Sequence, residues 1–206
     1  MRTVIFDFNG TILDVVELCR ECLNAMVDRY LDRGEVSRDE YLHAFTFPVK
    51  DYYAKIGFDF DRLNFEKIGR EWYELYHQNR EKALIQSGAL ETVDYCRQQG
   101  WRTVLLSATR QETLDSQCDE LSIASYFESV VGIRDIYASS KTSVARSFLQ
   151  GQDPGEVLFI GDTLHDKDTA EACGADYILV AKGHQAIDVL ARETKKIVTD
   201  IREVTF

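Results

Sequence analysis

The amino-acid sequence predicts an α/β protein: a doubly wound parallel sheet with an inserted, all-helical cap domain. Short apolar runs rich in β-forming residues alternate with helical stretches over most of the chain, which is typical of a parallel sheet covered by helices on both faces. One long segment near the N-terminus breaks this alternation and has helical periodicity throughout. The length of 206 residues accommodates one ordinary domain and a modest insertion.

Six apolar runs are predicted to be strands, because each is short, rich in β-forming residues and bounded by turn residues. They are Thr3 to Phe6, Arg102 to Leu106, Ser129 to Gly132, Glu156 to Ile160, Asp176 to Val180 and Lys196 to Val198. Helices are predicted between them. These are Leu90 to Gln99, Gln111 to Leu121, Thr142 to Leu149, Lys167 to Cys173 and Gln185 to Thr194.

The inserted segment is predicted to be a small helical domain. Ser37 to Glu40 has the pattern of a capping box that opens a helix, and Pro48 is expected early in another helix. The segment is dense in aromatic residues, which we interpret mainly as its core. We therefore predict a cap, residues 16–82, inserted into a core domain made of residues 1–15 and 83–206.

Composition narrows the function classes. A net charge of −11 argues against nucleic acid and anionic membranes as partners, because a duplex binder needs a basic face. No apolar run has the length of a transmembrane helix, and Asp7 and Asp14 interrupt the region where a signal peptide would be apolar. Five scattered cysteines suit a reducing compartment, so we expect a cytoplasmic protein. Its oligomeric state cannot be predicted.

Polar residues follow the predicted strands at positions where ligands bind in open α/β sheets. Asp7, Ser107 and Lys141 are followed along the chain by the pair Asp162 and Asp166. Each residue alone is more typical of a turn or a helix cap. Together they supply a carboxylate nucleophile, oxygen ligands for Mg²⁺, and a lysine and a hydroxyl that can hold phosphoryl oxygens.

The same residues resemble the four motifs of the haloacid dehalogenase (HAD) superfamily, over essentially the whole chain. Asp7 to Thr11 resembles motif I, Leu106-Ser107 motif II, Lys141 motif III, and Gly161 to Asp166 motif IV. A helical insertion directly after motif I is similar to the C1 cap of phosphoglycolate-phosphatase-like members. The resemblance implies a Rossmann-like core and a Mg²⁺-dependent phosphohydrolase that cleaves a small phosphorylated metabolite through an aspartyl-phosphate.

The resemblance also implies a role for each residue. Asp7 would be the nucleophile and a metal ligand, Asn9 would offer its backbone carbonyl to the metal, and Asp162 would be the third protein ligand. Asp166 would orient Lys141 or act through water, and Thr11 would steady the loop. The implied phosphate-binding residues are Ser107, Ala108, Lys141, Asn9 and Gly10.

The sequence departs from the family pattern at Asn9, where most phosphatases of the family have a second aspartate. That aspartate protonates the leaving alcohol and later activates water, and an amide does neither at neutral pH. General acid-base help contributes a factor of about 10² to 10⁴, so alkyl phosphate esters should be slow substrates and activated leaving groups should suffer less.

Several hypotheses follow from Asn9. The first is a phosphatase with a substitute proton donor, for which His165 and His43 are candidates. The second is a regulatory or phosphate-ligand-binding protein with low turnover, or a phosphotransferase with an acceptor other than water. A dehalogenase does not need the metal site that Asp162 and Asp166 suggest. A receiver domain does not explain the insertion and the extra length.

Two cations are candidates for contact with the part of the substrate that is not phosphate. Lys50 lies between two predicted helices of the cap, and a cap over the sheet edge excludes water as lid elements do. Arg110 lies three residues beyond Ser107, in the loop expected to face the site. The substrate itself cannot be predicted.

Overall fold

The protein folds around one parallel sheet. The computed structural model describes residues 1–133 and 140–206. The strands of this part of the chain are β1 (Thr3–Phe6), β2 (Leu13–Asp14), β3 (Leu84–Ile85), β4 (Arg102–Arg110), β5 (Ser129–Ile133), β6 (Val157–Gly161), β7 (Asp176–Val180) and β8 (Ile197–Val198). The α-helices are α1 (Val16–Tyr30), α2 (Arg38–Ala44), α3 (Val49–Ile56), α4 (Phe65–Gln78), α5 (Ala89–Gln98), α6 (Gln111–Glu120), α7 (Lys141–Phe148), α8 (Leu164–Ala172) and α9 (Ile187–Glu193).

The main sheet has the strand order β5-β4-β1-β6-β7-β8, and each neighbouring pair is parallel. The first strand therefore lies inside the sheet, and the chain adds strands on both sides of it. This arrangement confirms the predicted doubly wound α/β fold.

Side chains on the central strand alternate between two apolar layers, as the two-residue period of a strand requires. Val4 and Phe6 belong to one buried cluster, and Ile5 belongs to a second cluster on the opposite face. Because both faces are covered, the central strands contain continuous apolar runs rather than alternating apolar and polar residues. This explains why short, continuous apolar runs were the correct signal for them.

The helices α1 to α4 are inserted between the two strands of a small antiparallel sheet. Leu13 on β2 pairs with Ile85 on β3, so the chain leaves the main sheet and returns to it at the same place. Between these strands, all of whose connecting residues are described, the regular structure is helical. Buried residues of the inserted segment, such as Leu23 and Tyr41, share one apolar cluster with Phe6 of the sheet. We use the name cap for residues 16–82, and its status as a separate domain is a proposal.

Local signals explain where several helices begin. The Ser37 side chain accepts a hydrogen bond from the Glu40 amide at 3.1 Å and caps α2, which is one half of the predicted capping box. The Glu40 carboxylate accepts from Arg33 instead of completing the box. Pro48 directly precedes α3. Helix α8 begins at Leu164, three residues before the predicted start, because Thr163 and Asp166 form a capping box there.

Strand β4 continues past the predicted end at Leu106, and its pairing with β5 shifts in register before it resumes at Arg110.

In the described part of the chain, no helix is both long and apolar enough to cross a membrane.

Candidate active site

Parallel pairing brings the ends of three strands to one edge of the sheet. Phe6 on β1 is in register with Leu105 on β4 and with Ile160 on β6. Asp7, Ser107 and Asp162 follow these positions within one or two residues. The Asp7 amide donates a hydrogen bond to the Ile160 carbonyl at 2.9 Å, which fixes the turn out of the first strand.

Lys141 lies at the centre of the site. It is the first residue of α7, its side chain is 4% exposed, and its Nζ donates to one carboxylate oxygen of Asp7 and to one of Asp166. Burial disfavours the charged ammonium, but the two adjacent carboxylates outweigh burial and raise the pKa of Lys141. The lysine is therefore a fixed cation that holds the two acids together.

Asp166 accepts hydrogen bonds from its own loop as well as from the lysine. One of its oxygens accepts from the Asp162 amide at 3.2 Å, the Thr163 amide at 3.0 Å and the Thr163 hydroxyl at 2.7 Å. Burial opposes ionisation, but Lys141 and these donors more than compensate and lower the pKa of Asp166. Asp166 is therefore an ionised anchor that fixes both the loop and Lys141.

The negative charges of Asp7 and Asp162 are less well compensated by neighbouring groups than the charge of Asp166. Burial raises the pKa of Asp7 to about 7 despite the opposing charge of Lys141. Burial, together with the charges of Asp7 and Asp166, raises the pKa of Asp162 well above its usual range. Among the described residues, the side chain of Asp162 accepts only from neutral donors, the Thr11 hydroxyl at 3.3 Å and the His184 amide at 2.6 Å.

Oxygen atoms of Asp7, Asp162 and Asp166 lie within 4.8 Å of one another. One lysine cannot balance three carboxylates of which two are buried and the third is 12% exposed, and such an excess of negative charge is costly without a cation. Carboxylate oxygens are the ligands that Mg²⁺ prefers, so the donor set fits a hard divalent ion. Asp7 and Asp162 are the residues best able to hold one, because Asp166 is already committed to Lys141 and Thr163.

Glycines allow the backbone to approach these acids closely. Gly10 has a φ of +89°, and a Cβ atom built on it would lie 2.3 Å from an oxygen of Asp162. A Cβ on Gly161 would lie 2.2 Å from Asp166, and one on Gly183 would lie 2.1 Å from Asp162. The tight packing of backbone around the carboxylates therefore depends on the absence of side chains at these positions.

A hydrogen-bonded chain of neutral groups lies beside Asp7. The Asn9 amide nitrogen donates to the Thr109 hydroxyl at 3.3 Å, and the Ser107 hydroxyl donates to the same oxygen at 3.0 Å. The Asn9 side-chain oxygen is buried without a partner among the described residues. Exchanging the two amide atoms would present a donor instead, but neither orientation offers an ionisable proton.

Two histidines lie close to the acids. His184 is buried, its Nδ1 is 2.8 Å from the Tyr41 hydroxyl, and burial lowers its pKa to about 4. His165 stacks on the Phe47 ring with centroids 4.5 Å apart, and burial lowers its pKa as well. Both imidazoles are therefore mainly neutral at pH 7.

These side chains surround a cavity of about 420 Å³ between the sheet edge and the cap. From the core, the lining residues include Asp7, Asn9, Ser107, Ala108, Thr109, Arg110, Lys141, Asp162, His165, Asp166 and His184. The cap contributes mainly aromatic rings. The cavity is thus charged at its floor and apolar at its opposite wall.

The structure does not bring every predicted site residue to this cavity. His43 is exposed on α2 and its Nε2 lies 2.9 Å from Asp188, while Lys50 lies over the Phe60 ring at 5.6 Å. Neither residue lines the cavity. Arg110 does line it, at the exposed end of β4.

Comparison with known proteins agrees with this geometry. The family model of haloacid dehalogenase-like hydrolases matches residues 4–180 of the chain, which contain the sheet edge, the cap and all three acids. The chain belongs to this family. It is therefore an enzyme of the HAD hydrolase family, as the four motifs predicted.

Two relatives of this HAD hydrolase have assigned activities. Pyrophosphatase PpaX of Bacillus pumilus is 24% identical over 196 residues, which cover 91% of this chain and 88% of the relative. Phosphoglycolate phosphatase of Pseudomonas putida is 23% identical over 211 residues, which cover 97% of this chain and 76% of the relative.

Solved structures share the fold of the HAD hydrolase. One from Clostridium acetobutylicum, described as a predicted phosphatase, has a TM-score of 0.80 at 17% identity and covers 98% of this chain and 95% of its own. CbbY from Rhodobacter sphaeroides, crystallised with xylulose-(1,5)bisphosphate, has a TM-score of 0.73 at 19% identity and covers 98% and 96% of the two chains. At these identities the likeness establishes the fold alone.

Three site residues of the HAD hydrolase were not selected from the sequence. His184 follows β7 by four residues and Thr109 lies near the end of β4, so the rule that collects polar residues after strands would have included both. Thr163 precedes Asp166 by three residues in the spacing of a capping box. These signals are present in the sequence, but each is also common at ordinary loop positions.

The close approach of Gly10 to Asp162 is testable by substitution. Gly10→Ala should destabilise the HAD hydrolase much more than Gly100→Ala, which also has a positive φ, +73°, but meets no atom within 4 Å. Strain alone costs about 1 to 2 kcal/mol at either position, and only Gly10→Ala adds the clash with the carboxylate. Urea unfolding of both variants measures the difference, and equal losses would contradict the close approach.

Proposed function

We infer that this HAD hydrolase is a Mg²⁺-dependent phosphohydrolase that cleaves a small phosphorylated substrate through an aspartyl-phosphate on Asp7. The observation that carries the inference is the placement of Asp7. Its carboxylate lines the cavity floor, is held by Lys141, and shares an oxygen cluster with Asp162 and Asp166. The names of the relatives, which concern pyrophosphate and phosphoglycolate, support a small phosphorylated substrate.

The residues around Asp7 suit each part of this reaction. The Asp7 and Asp162 carboxylates and the Asn9 backbone carbonyl would hold Mg²⁺, which would neutralise negative charge on the phosphoryl group. Lys141 supplies a fixed positive charge, and Ser107 with the neighbouring Ala108 backbone offers hydrogen-bond donors for phosphoryl oxygens. The Gly10 amide, expected to bind phosphate, donates to the Leu13 carbonyl at 2.8 Å instead. Thr11 steadies Asp162, and Asp166 positions Lys141.

Two displacements at phosphorus complete the proposed cycle. An Asp7 oxygen attacks phosphorus, the bond from phosphorus to the leaving oxygen breaks, and the electron pair departs with that oxygen. Water then attacks the phosphorus of the aspartyl-phosphate, which releases inorganic phosphate and restores the Asp7 carboxylate. Proton transfers accompany both displacements, and His165 is the ionisable side chain best placed to assist, because it lines the cavity near Asp166.

A second candidate function follows from Asn9. Since its side chain offers no ionisable proton, hydrolysis of the aspartyl-phosphate would lack the usual base, and the intermediate would persist. Such a protein would hold a phosphorylated ligand with little turnover, or would pass the phosphoryl group to an acceptor other than water. The two candidates differ in whether phosphate is released in water at a useful rate.

Phosphate release with Mg²⁺ separates these functions. We expect the wild type to release phosphate from acetyl phosphate and p-nitrophenyl phosphate, and Asp7→Asn to release none because the nucleophile is lost. Asn9→Asp should accelerate alkyl esters by a factor of about 10² to 10⁴, because it restores a general acid.

Asn64→Asp is a matched control, since it makes the same change at the N-cap of α4, where an aspartate is tolerated. It should leave all rates unchanged. Absence of release by the wild type with any substrate, together with strong release by Asn9→Asp, would support the second candidate and contradict the first.

Metal binding should be visible as a pH-dependent stabilisation. The folded-state pKa of Asp7 is raised to about 7 from an ordinary value of 3.8, so the folded protein binds more protons than the unfolded chain between about pH 4 and pH 7. The contribution of Asp7 to the stability of the metal-free protein therefore falls as pH rises through this window. Mg²⁺ competes with the proton, so it should raise Tm more at pH 8 than at pH 5.

Thermal unfolding with and without Mg²⁺ at the two pH values measures this effect. Asp162→Asn should abolish most of the stabilisation by Mg²⁺ because it removes a ligand. Asp168→Asn, which removes an exposed carboxylate on α8, should retain it. An unchanged Tm on addition of Mg²⁺ to the wild type at pH 8 would contradict the proposed metal site.

A further inference from the structure

The cap side of the active-site cavity is built almost entirely from aromatic side chains. Among the described residues that line the cavity, the cap contributes eight aromatic residues, with Cys19 and Val49 as the other two members. The rings form two groups. One comes from α2, α3 and the loop between them, including Phe45 and Phe47, and the other comes from α4, including Trp72 and Tyr73.

Some side chains of this wall are exposed although they are large and mainly apolar. Phe47 is 38% exposed, Val49 is 37% exposed and Tyr73 is 42% exposed, and all three lie on the cavity wall. The Tyr73 hydroxyl reaches the Thr113 hydroxyl of α6 at 3.2 Å, so this ring spans from the cap to the core. Exposed apolar side chains gathered at a cavity, beside charged groups at its floor, are typical of a ligand-binding wall.

The cap wall offers no charge to a second anionic group. Within the described residues, the cavity is lined by no lysine, arginine or acid from the cap, and its cations from the core are Lys141 and Arg110. Lys141 is already paired with Asp7 and Asp166. Arg110 lies on the core side, so a second phosphate or carboxylate directed at the cap would be buried without a partner, at high cost.

A polar group on the same wall is unpaired. The Tyr52 hydroxyl is buried, and it makes no hydrogen bond of ordinary geometry among the described residues, although Tyr41 lies beside it. Buried hydroxyls without a partner are uncommon in folded proteins, so this hydroxyl is available to a hydrogen-bonding group of a ligand. A ligand that fills this wall would thus be mainly flat and apolar and could carry a hydrogen-bonding substituent.

The residues at the floor of the cavity also favour an aromatic substrate, because Asn9 limits which leaving groups can depart. Because Asn9 cannot protonate the leaving oxygen, a substrate is cleaved fast only if its leaving group is stable as an anion. A phenol ionises at about pH 10, as tyrosine does, whereas an alkyl alcohol is a far weaker acid. Aryl esters therefore need the missing proton donor much less than alkyl esters do, and their rings match the aromatic wall.

We propose that the substrate is an aryl phosphate, whose uncharged aromatic ring packs between the rings of the cap while its phosphoryl group lies at Asp7. This inference rests on the proposed phosphohydrolase function. An Asp7 oxygen bonds to phosphorus, the bond from phosphorus to the phenolic oxygen breaks, and the electron pair leaves on a phenolate that takes a proton from solvent. Water then cleaves the aspartyl-phosphate and releases inorganic phosphate.

The test compares kcat/KM for naphthyl phosphate, cyclohexyl phosphate, pyrophosphate, phosphoglycolate and acetyl phosphate, each with Mg²⁺. Naphthyl phosphate should exceed the alkyl esters cyclohexyl phosphate and phosphoglycolate by about 10² or more, the lower limit of what a missing general acid costs an alkyl ester. It should also exceed pyrophosphate, because the charged leaving group of pyrophosphate meets no cation on the cap wall. Acetyl phosphate has a good leaving group but no aromatic ring, so its kcat/KM depends on phosphoryl transfer and not on ring contacts. Pyrophosphate or phosphoglycolate as the best substrate would overturn the inference and leave the phosphohydrolase standing.

Substitutions at the rim of the cavity test the ring contact. Phe47→Ala and Tyr73→Ala should each lower the ratio of naphthyl phosphate to acetyl phosphate kcat/KM by about threefold to tenfold, the usual contribution of one aromatic pair. Tyr95→Ala is the matched control, because Tyr95 is 47% exposed and does not line the cavity. An unchanged ratio in both rim variants would overturn the inference.

Binding of naphthyl phosphonate, which cannot be hydrolysed, tests the aromatic pocket separately from the phosphohydrolase function. Calorimetric binding with Mg²⁺ that weakens in the rim variants but not in Tyr95→Ala supports the aromatic pocket even if no ester is turned over. The same binding pattern together with no phosphate release from any of the esters or from acetyl phosphate would contradict the phosphohydrolase alone. Failure of the phosphonate to bind, with acetyl phosphate still hydrolysed, would overturn the aromatic pocket alone.

Discussion

The site depends on one interaction, the ion pairs that buried Lys141 makes with Asp7 and Asp166. Three acids meet at the carboxyl edge of the sheet because parallel pairing aligns the strand ends. Without an internal cation, their mutual repulsion and desolvation would make this arrangement very costly. Lys141 at the start of α7 supplies that cation, and the loop of Thr163 and Asp166 fixes its position.

The same ion pairs leave part of the negative charge of the three acids uncompensated. Lys141 pairs with Asp166 and with one oxygen of Asp7, whereas Asp162 accepts, within the described part of the chain, from neutral donors only. The remaining negative charge suits the proposed metal ion, which would allow an anionic phosphoryl group to approach a strongly acidic protein. The net charge of −11 is therefore compatible with an anionic substrate, because the cations are concentrated at one point.

Much of the fold could be predicted because its signals are local. The strands next to Asp7 and Asp162 are buried on both faces and appear as continuous apolar runs, and their ends identify the polar residues of the site. The early start of α8 was missed because Asp166 was interpreted for its chemistry rather than as part of a capping box. The extension of β4 to Arg110 depends on its pairing with β5, which local sequence does not encode.

In the sequence, the aromatic residues that line the cavity could not be distinguished from those that build the core of the cap. Tyr41, Tyr52 and Tyr53 are buried members of the apolar cluster and also line the cavity, so their positions satisfy both interpretations. For the same reason, His43 and Lys50 were reasonable candidates until α2 and α3 had a defined orientation. Side-chain direction on a helix depends on tertiary packing, and only the folded chain determines which face meets the substrate.

The central claim is that Asp7 carries the phosphoryl group. Its most direct test is to quench the wild type with acid during turnover of acetyl phosphate, reduce the acyl phosphate with borohydride, and analyse the peptides by mass spectrometry. The account predicts homoserine at position 7 in the wild type and unmodified residues in Asp7→Asn. Phosphate release without modification of Asp7, or modification at another carboxylate, would contradict it.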